Sequence, residues 1–111
     1  VERREAEKIT LRSKLGFEVE NIDEITHLQA DSNYTHVHFL EKKSITVPYT
    51  LKRFEEVLSQ EKFIRVHHSY LVNLAHILSF DSQNNLLLLK GDIEVSVSRR
   101  KKQMLKDLLR F

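Results

Sequence analysis

The feature that most limits the fold of this chain is a series of short segments in which apolar and polar residues alternate. Alternation with a period of two is typical of strands that bury one face. Residues that favour turns separate the segments, including Gly16, "DSN" at 31–33, "SQNN" at 82–85 and "GD" at 91–92. The segments predicted to be strands are 9–11, 17–20, 24–30, 34–40, 44–49, 63–73, 76–81, 85–90 and 93–98.

Two segments have helical spacing instead. In "TLKRFEEVLSQ", Leu51, Phe54 and Leu58 recur at helical intervals behind Thr50, a residue type that often caps a helix. The segment 99–111 has the same spacing, with apolar residues on one face at Met104, Leu105, Leu108 and Leu109. Pro48 cannot donate to a ladder, so it belongs on an edge strand or at a strand end. The pattern predicts a mainly antiparallel β domain of about nine strands with two short helices.

Length and composition limit the class of protein. A chain of 111 residues with 41% hydrophobic content is long enough for one compact domain and too short for two ordinary ones. It has no cysteine, which excludes disulfides, thiolate metal ligands and cysteine nucleophiles. With two glycines, no G-x-S-x-G motif and no paired carboxylates in an apolar setting, we expect neither a nucleotide-binding loop nor an enzyme.

The first eight residues, "VERREAEK", form a charged run without an initial methionine. We interpret 1–8 as a linker or the tail of a preceding domain, and 9–111 as the folded domain of a longer protein. No segment approaches the roughly 18 apolar residues of a membrane helix, and no segment has the pattern of a signal peptide. We therefore expect a cytoplasmic protein without a membrane contact.

The sequence "SRRKK" places four cations at the start of the last predicted helix, where Ser98 is the expected N-cap. The positive end of the helix dipole disfavours each of Arg99, Arg100, Lys101 and Lys102 by about 0.3–1 kcal/mol. The same helix end offers unpaired N–H groups to an anion, so this run predicts contact with nucleic acid. An ordinary exposed basic run is the alternative. A net charge of +2 is too small to decide between them, so the argument rests on where the cations lie.

The histidines raise the question of a metal site. His36 and His38 lie two apart on a predicted strand, so they share a face and could bind one metal ion. A third ligand would have to come from His27, Asp31 or Glu41. No spacing singles out one of these, so a solvated or hydrogen-bonded strand face is the favoured interpretation. His67 and His68 are neighbours and are expected to point to opposite faces.

The stretch "FIRVHHSYLVN" at 63–73 alternates like a strand, yet Arg65, His67 and His68 lie in its middle. Together with "IDEITHLQADSNYTHVHF" and "PYTLKRFEEVL" before it and "IEVSVSRRKKQML" after it, this stretch resembles the LytTR DNA-binding domain. That family is the output module of many bacterial two-component response regulators. The resemblance covers roughly 9–109 in the family's order and spacing. It implies an elongated fold of antiparallel sheets, about nine or ten strands with two short helices, that reads DNA through loops.

The resemblance also implies which residues contact DNA. The first group lies in the turn "DSNYT" and consists of Asn33, Tyr34 and Thr35, with Thr35 the nearest match. The second is His68, which follows the family's "R-x-H" pattern. The third is Arg100 with Arg99 beside it, and Arg100 could form a bidentate contact with guanine.

Other residues in these motifs have supporting roles. Arg65 and Ser69 suit phosphate contact or support of the loop, and Lys101 and Lys102 suit phosphate contact. A structural role is expected for His67, Tyr70 and Asn73, since "SYLVN" is predicted to be a tight turn whose Asn side chain satisfies backbone groups. The residues of this stretch expected in the core are Phe63, Val66, Tyr70, Leu71 and Val72.

The function implied is sequence-specific binding of double-stranded DNA for transcription regulation, without a cofactor. A small domain reads a short half-site, so we expect a dimer on repeated sites about one helical turn apart. The resemblance also implies an N-terminal receiver domain that is phosphorylated by a sensor kinase. Two alternatives stay open, a protein-interaction module and a metal-binding β module built on histidine.

Overall fold

Ten strands and two helices make up the computed structural model, which describes residues 7–109. The strands are β1 Lys8–Ser13, β2 Gly16–Asn21, β3 Ile25–Asp31, β4 Tyr34–Phe39, β5 Ile45–Val47, β6 Phe63–His67, β7 Tyr70–Asn73, β8 Ile77–Asp81, β9 Leu86–Leu89 and β10 Ile93–Ser96. The helices are α1 Leu51–Val57 and α2 Arg99–Leu109, and two 3₁₀ turns occupy Ile22–Glu24 and Leu74–His76. The mainly β class is confirmed. No helix among these residues has the length and apolar content needed to cross a bilayer.

The strands form three antiparallel sheets. One has the order β1-β2, one the order β10-β9-β8, and the largest the order β5-β4-β3-β7-β6. The described part of the chain measures 45 × 42 × 25 Å, so it is markedly thinner in one direction than in the other two. Strand β1 begins at Lys8, which the sequence analysis placed in the leading tail, while residues 1–6 of that tail lie outside the described part.

Local chemistry explains where the hairpins turn and the first helix begins. Gly16, which the sequence placed in the turn, has φ +129°, a conformation that side-chain-bearing residues rarely adopt, and it is the first residue of β2. Strand β5 is an edge of its sheet and ends just before Pro48. This agrees with the prediction, since proline has no backbone N–H to donate to a sheet. Thr50 caps α1 by accepting a hydrogen bond from the backbone N–H of Arg53.

The hairpin of β6 and β7 lies between two hydrophobic cores. Its residues Phe63 and Leu71 are buried in a core with α1 and β1, whereas Ile64, Val66 and Val72 are buried in a second core. The second core also contains residues of the three-stranded sheet and of α2, namely Leu87, Leu89, Val95 and Leu105. This hairpin therefore supplies side chains to both halves of the domain.

Segment 63–73 was predicted to be one strand followed by a tight turn at "SYLVN", and this is wrong. Tyr70–Asn73 is strand β7, and the turn is His68 and Ser69. The physical reason is that Leu71 and Val72 point to opposite cores, as they do only in an extended strand. The structural role of Asn73 is confirmed: its Nδ2 donates to Ile25 O at 2.9 Å and its Oδ1 accepts from Ala75 N at 3.0 Å.

Candidate nucleic-acid interface

The turn between β6 and β7 is built to present His68 to solvent. The register of the hairpin shifts between Arg65 and His67, so the regular ladder is interrupted one pair before the turn. Arg65 Nε donates to His67 O at 2.9 Å and Nη2 donates to His68 O. The His67 ring accepts the Ser69 N–H at Nδ1, at 3.1 Å. Since these contacts hold the backbone, the exposed His68 side chain is not needed to maintain the turn.

The basic start of α2 lies beside this turn. Ser98 N donates to Val66 O at 2.9 Å, which fixes the end of β6 against the residue that precedes the helix. A surface concavity of about 340 Å³ results, lined by Arg65, His67, His68, Ser98, Arg100 and Lys101. The structure thus brings together two segments that are some thirty positions apart, the turn at His68 and the basic helix start.

The four cations of the helix start differ in their surroundings. Arg99 and Arg100 are exposed, while Lys101 and Lys102 are half-buried. Lys102 Nζ donates to Ser82 O at 2.7 Å, so this lysine reaches toward the loop between β8 and β9. The first turn of α2 contains no acidic residue that would neutralise the cations. The positive end of the helix dipole and the guanidinium groups therefore add to one local field.

The third predicted segment, the turn between β3 and β4, lies at the same end of the five-stranded sheet. Ala30 N donates to Ser69 O at 2.9 Å, and β3 ends one residue later, so the two turns are adjacent. Asn33 and Tyr34 are exposed at this edge. Thr35, the residue expected to match the family best, is fully buried, and its hydroxyl donates to Tyr49 O at 2.7 Å. Its position is that of a residue supporting the hairpin.

A row of rings crosses the sheet face behind these turns. The His27 and His38 rings stack with 4.3 Å between their centroids. The centroid of the Tyr70 ring lies 6.3 Å from that of His27 and 5.5 Å from that of His67. Burial, with a smaller effect of His38, lowers the pKa of His27 from 6.5 to about 4. Burial, then the neighbouring His36, lowers the pKa of His38.

The expected separation of His67 and His68 is wrong. Their ring centroids are 4.4 Å apart, because the alternation of faces ends with the register shift and the turn. Burial, then His68 and Arg65, lowers the pKa of His67, so this ring is favoured in the neutral form that accepts the Ser69 N–H.

The shared face of His36 and His38 is confirmed, with 6.4 Å between ring centroids, but three of their four ring nitrogens have protein partners. His36 Nδ1 lies 2.7 Å from Thr46 Oγ1 and its Nε2 lies 2.9 Å from Asp31 Oδ2. His38 Nε2 lies 3.1 Å from Gln29 Oε1. Within residues 7–109, no three His, Asp or Glu side chains are arranged to hold a metal ion. The geometry therefore favours the hydrogen-bonded strand face.

Sequence reasoning did not find Glu55, which forms an ion pair of 2.9 Å with Arg65. The two residues lie on α1 and β6, and no motif or spacing connects a helix carboxylate with a particular strand cation. Sequence reasoning also missed the burial of Thr35, for which a signal existed. Thr35, Val37 and Phe39 are alternate residues of one strand, and the latter two are apolar.

Comparison with known proteins gives a consistent result. The family model described as the LytTr DNA-binding domain matches residues 16–110. The CO-responsive transcriptional regulator RcoM of Rhodospirillum rubrum is 36% identical over 70% of this chain and 34% of its own length. The sensory transduction protein LytT of Bacillus cereus is 32% identical over 96% of this chain and 44% of its own length. The chain thus spans less than half the length of these curated relatives.

A solved structure has the same fold. It is the LytTr DNA-binding domain of a methyl-accepting/DNA response regulator from Bacillus cereus, which is 29% identical. The alignment covers 97% of this chain and all of the other, with a TM-score of 0.80. The sheets and helices described above are therefore those of a known DNA-binding domain.

Proposed function

Because the chain belongs to the LytTr DNA-binding domain family, we propose that it reads specific sequences of double-stranded DNA and regulates transcription. The family is one of DNA-binding domains and not of catalysts. The observation that carries the proposal is the concavity in which the turn at His68 meets the basic start of α2. This turn and this helix start supply cations and hydrogen-bonding side chains at one surface, so DNA can be read without placing a whole helix in the groove.

Six residues of the interface have proposed direct contacts with DNA. Arg100 reads a guanine through its O6 and N7 atoms, and His68 contacts a neighbouring base edge. Arg99 and Lys101 neutralise phosphates beside them. Two further contacts come from the adjacent β3–β4 hairpin, at Asn33 and Tyr34.

Three residues expected at the interface are more restricted. Lys102 contacts a phosphate with the ammonium donors that its bond to Ser82 leaves available. The half-buried Ser69 has its N–H and carbonyl engaged in the turn, so only its hydroxyl is offered to a phosphate. Thr35 supports its hairpin, since its side chain is buried.

The wider context is also part of the proposal. We infer that the domain is the output of a two-component response regulator, with a receiver domain that a sensor kinase phosphorylates. The name of the LytT relative and the response regulator from which the solved domain comes support this context. A single reading surface contacts a short half-site, so two copies would bind repeated half-sites about one helical turn apart.

Selection from a pool of randomised DNA duplexes tests the proposal. Sequence-specific reading predicts that one short motif emerges in two copies about one turn apart. The affinity for the selected duplex should fall steeply with salt, with a log–log slope of about −0.9 for each phosphate neutralised. If no motif emerges and binding stays weak at low salt, the proposal is wrong.

Substitutions then separate base reading from phosphate contact. Arg100→Ala should lower the affinity for the selected duplex by about 1–3 kcal/mol more than the affinity for random DNA. Lys102→Ala should weaken both alike and make the salt slope shallower by about 0.9. Lys106→Ala is the control, since Lys106 lies in the last turn of the same helix, away from the concavity. Equal losses on both duplexes for Arg100→Ala would exclude the base-reading role.

A further inference from the structure

We propose that Arg65 is a positioning residue that sets the orientation of the His68 turn, and that its ion pair with Glu55 makes DNA selectivity depend on helix α1. The inference rests on the proposed reading of DNA by His68. It assigns a role in selectivity to Glu55, a carboxylate that does not line the concavity.

The guanidinium of Arg65 joins three separate groups. Its Nη1 donates to Glu55 Oε1 at 2.9 Å, its Nε donates to His67 O at 2.9 Å, and its Nη2 donates to His68 O. All three nitrogens of the planar group are therefore used, each in a direction that the plane fixes. The Glu55 carboxylate on α1 binds one side of the guanidinium plane, and the carbonyl groups of the turn accept hydrogen bonds from the rest of it.

The turn needs such a support. The register shift between Arg65 and His67 interrupts the hairpin ladder, and only the pair of His67 with Tyr70 remains between the shift and the turn. The carbonyl groups of His67 and His68 accept from Arg65, so the guanidinium supports the turn beyond this last pair of the ladder. The direction in which the His68 side chain leaves the turn follows from this arrangement, and a base contact depends on that direction.

The same contacts make Arg65 a poor phosphate ligand. Its side chain is only 21% exposed, and the charge of Glu55 lies 2.9 Å from it. A phosphate would have to compete with a carboxylate and two carbonyl groups that are already in place. Arg65 therefore acts through His68, while Arg99 and Arg100 present exposed guanidinium groups to DNA.

Glu55→Gln is the decisive variant, and Glu56→Gln is its matched control. Both substitutions remove one negative charge from α1. Glu55 forms the ion pair with Arg65, whereas its neighbour Glu56 is exposed. Both should raise the affinity for random DNA by the same small factor. Only Glu55→Gln should lower the ratio of selected to random affinity, by about tenfold, which is within the cost of one misread base pair.

Variants of Arg65 distinguish positioning from phosphate contact. Arg65→Lys keeps the charge but loses the planar group, and should lower the selectivity ratio about tenfold with an unchanged salt slope. Arg65→Gln should lower selectivity no further when Glu55→Gln is added, since the two residues act as a unit. A phosphate contact predicts instead that Arg65→Gln weakens both duplexes alike and makes the slope shallower by about 0.9.

The outcomes separate this inference from the proposed function. If the wild-type domain selects no sequence, the proposed function fails. If the wild type selects a sequence and Glu55→Gln has the same selectivity as Glu56→Gln, the inference alone is wrong. Urea denaturation of each variant verifies folding, and Glu55→Gln decides the question if an Arg65 variant is unfolded.

Discussion

Acidification should destabilise this domain at a pH where its carboxylates are still ionised, because His27 is buried in the neutral form. His27 is 6% exposed, and its ring is stacked on that of His38. Its pKa is lowered from 6.5 to about 4 in the folded domain. Between these values the unfolded chain binds more protons at this site than the folded chain, so the free energy of unfolding falls as the pH falls.

The magnitude follows from the two pKa values. One unit of pKa difference corresponds to about 1.4 kcal/mol, so the complete effect of His27 is ~3 kcal/mol, reached below the folded pKa. Between about pH 7.5 and pH 5 the expected loss is ~2 kcal/mol, because the imidazole of the unfolded chain is then almost fully protonated. The lowered pKa values of His38 and His67 act in the same direction.

Urea denaturation followed by circular dichroism at several pH values measures this loss. His27→Phe serves as the comparison, since phenylalanine keeps an aromatic ring against His38 and cannot take up a proton. The free energy of unfolding of the variant should decline by ~2 kcal/mol less than that of the wild type over the same pH range. Parallel curves for the two proteins would refute the argument that burial holds His27 in the neutral form.

Two stability predictions concern single side chains. Asn73→Ala removes the side-chain partner of Ile25 O and of Ala75 N, so the free energy of unfolding should fall by about 2–4 kcal/mol. A loss below about 1 kcal/mol would contradict the structural role of the Asn73 side chain. Thr50→Ala removes the side-chain acceptor of the Arg53 N–H, which also donates to Thr50 O at 3.1 Å. The substitution should therefore cost only about 0.5–1 kcal/mol in the same assay, and a loss as large as that of Asn73→Ala would be inconsistent with this weak cap.

The sequence predicts the strands well because alternation and turn residues act locally. The Gly16 hairpin, the edge position of β5 and the cap of α1 each depend on residues within a few positions of one another. Segment 63–73 was misassigned because a shift of register and a two-residue turn interrupt an alternation that looks continuous. Two hydrophobic cores on opposite sides of one hairpin produce the same apolar pattern as a single buried strand.

The candidate interface is predictable in part, since two of its segments have local sequence signals. The segments around His68 and Arg100 stand out as cations and imidazoles where local stability would favour other residues. Their proximity depends on Ser98 N bonding to Val66 O, a long-range backbone contact that no local pattern encodes. The pairing of Glu55 with Arg65 is likewise a product of how α1 packs on the sheet.

The position of the β6–β7 hairpin between the two cores has a consequence for how the domain unfolds. Each core loses one of its walls if the hairpin departs, because Phe63 and Leu71 belong to one core and Val66 and Val72 to the other. We therefore expect the two cores to unfold together, as one cooperative unit. In that case the central amides of the hairpin should exchange with solvent deuterium only through global unfolding, and their protection should equal the stability of the whole domain.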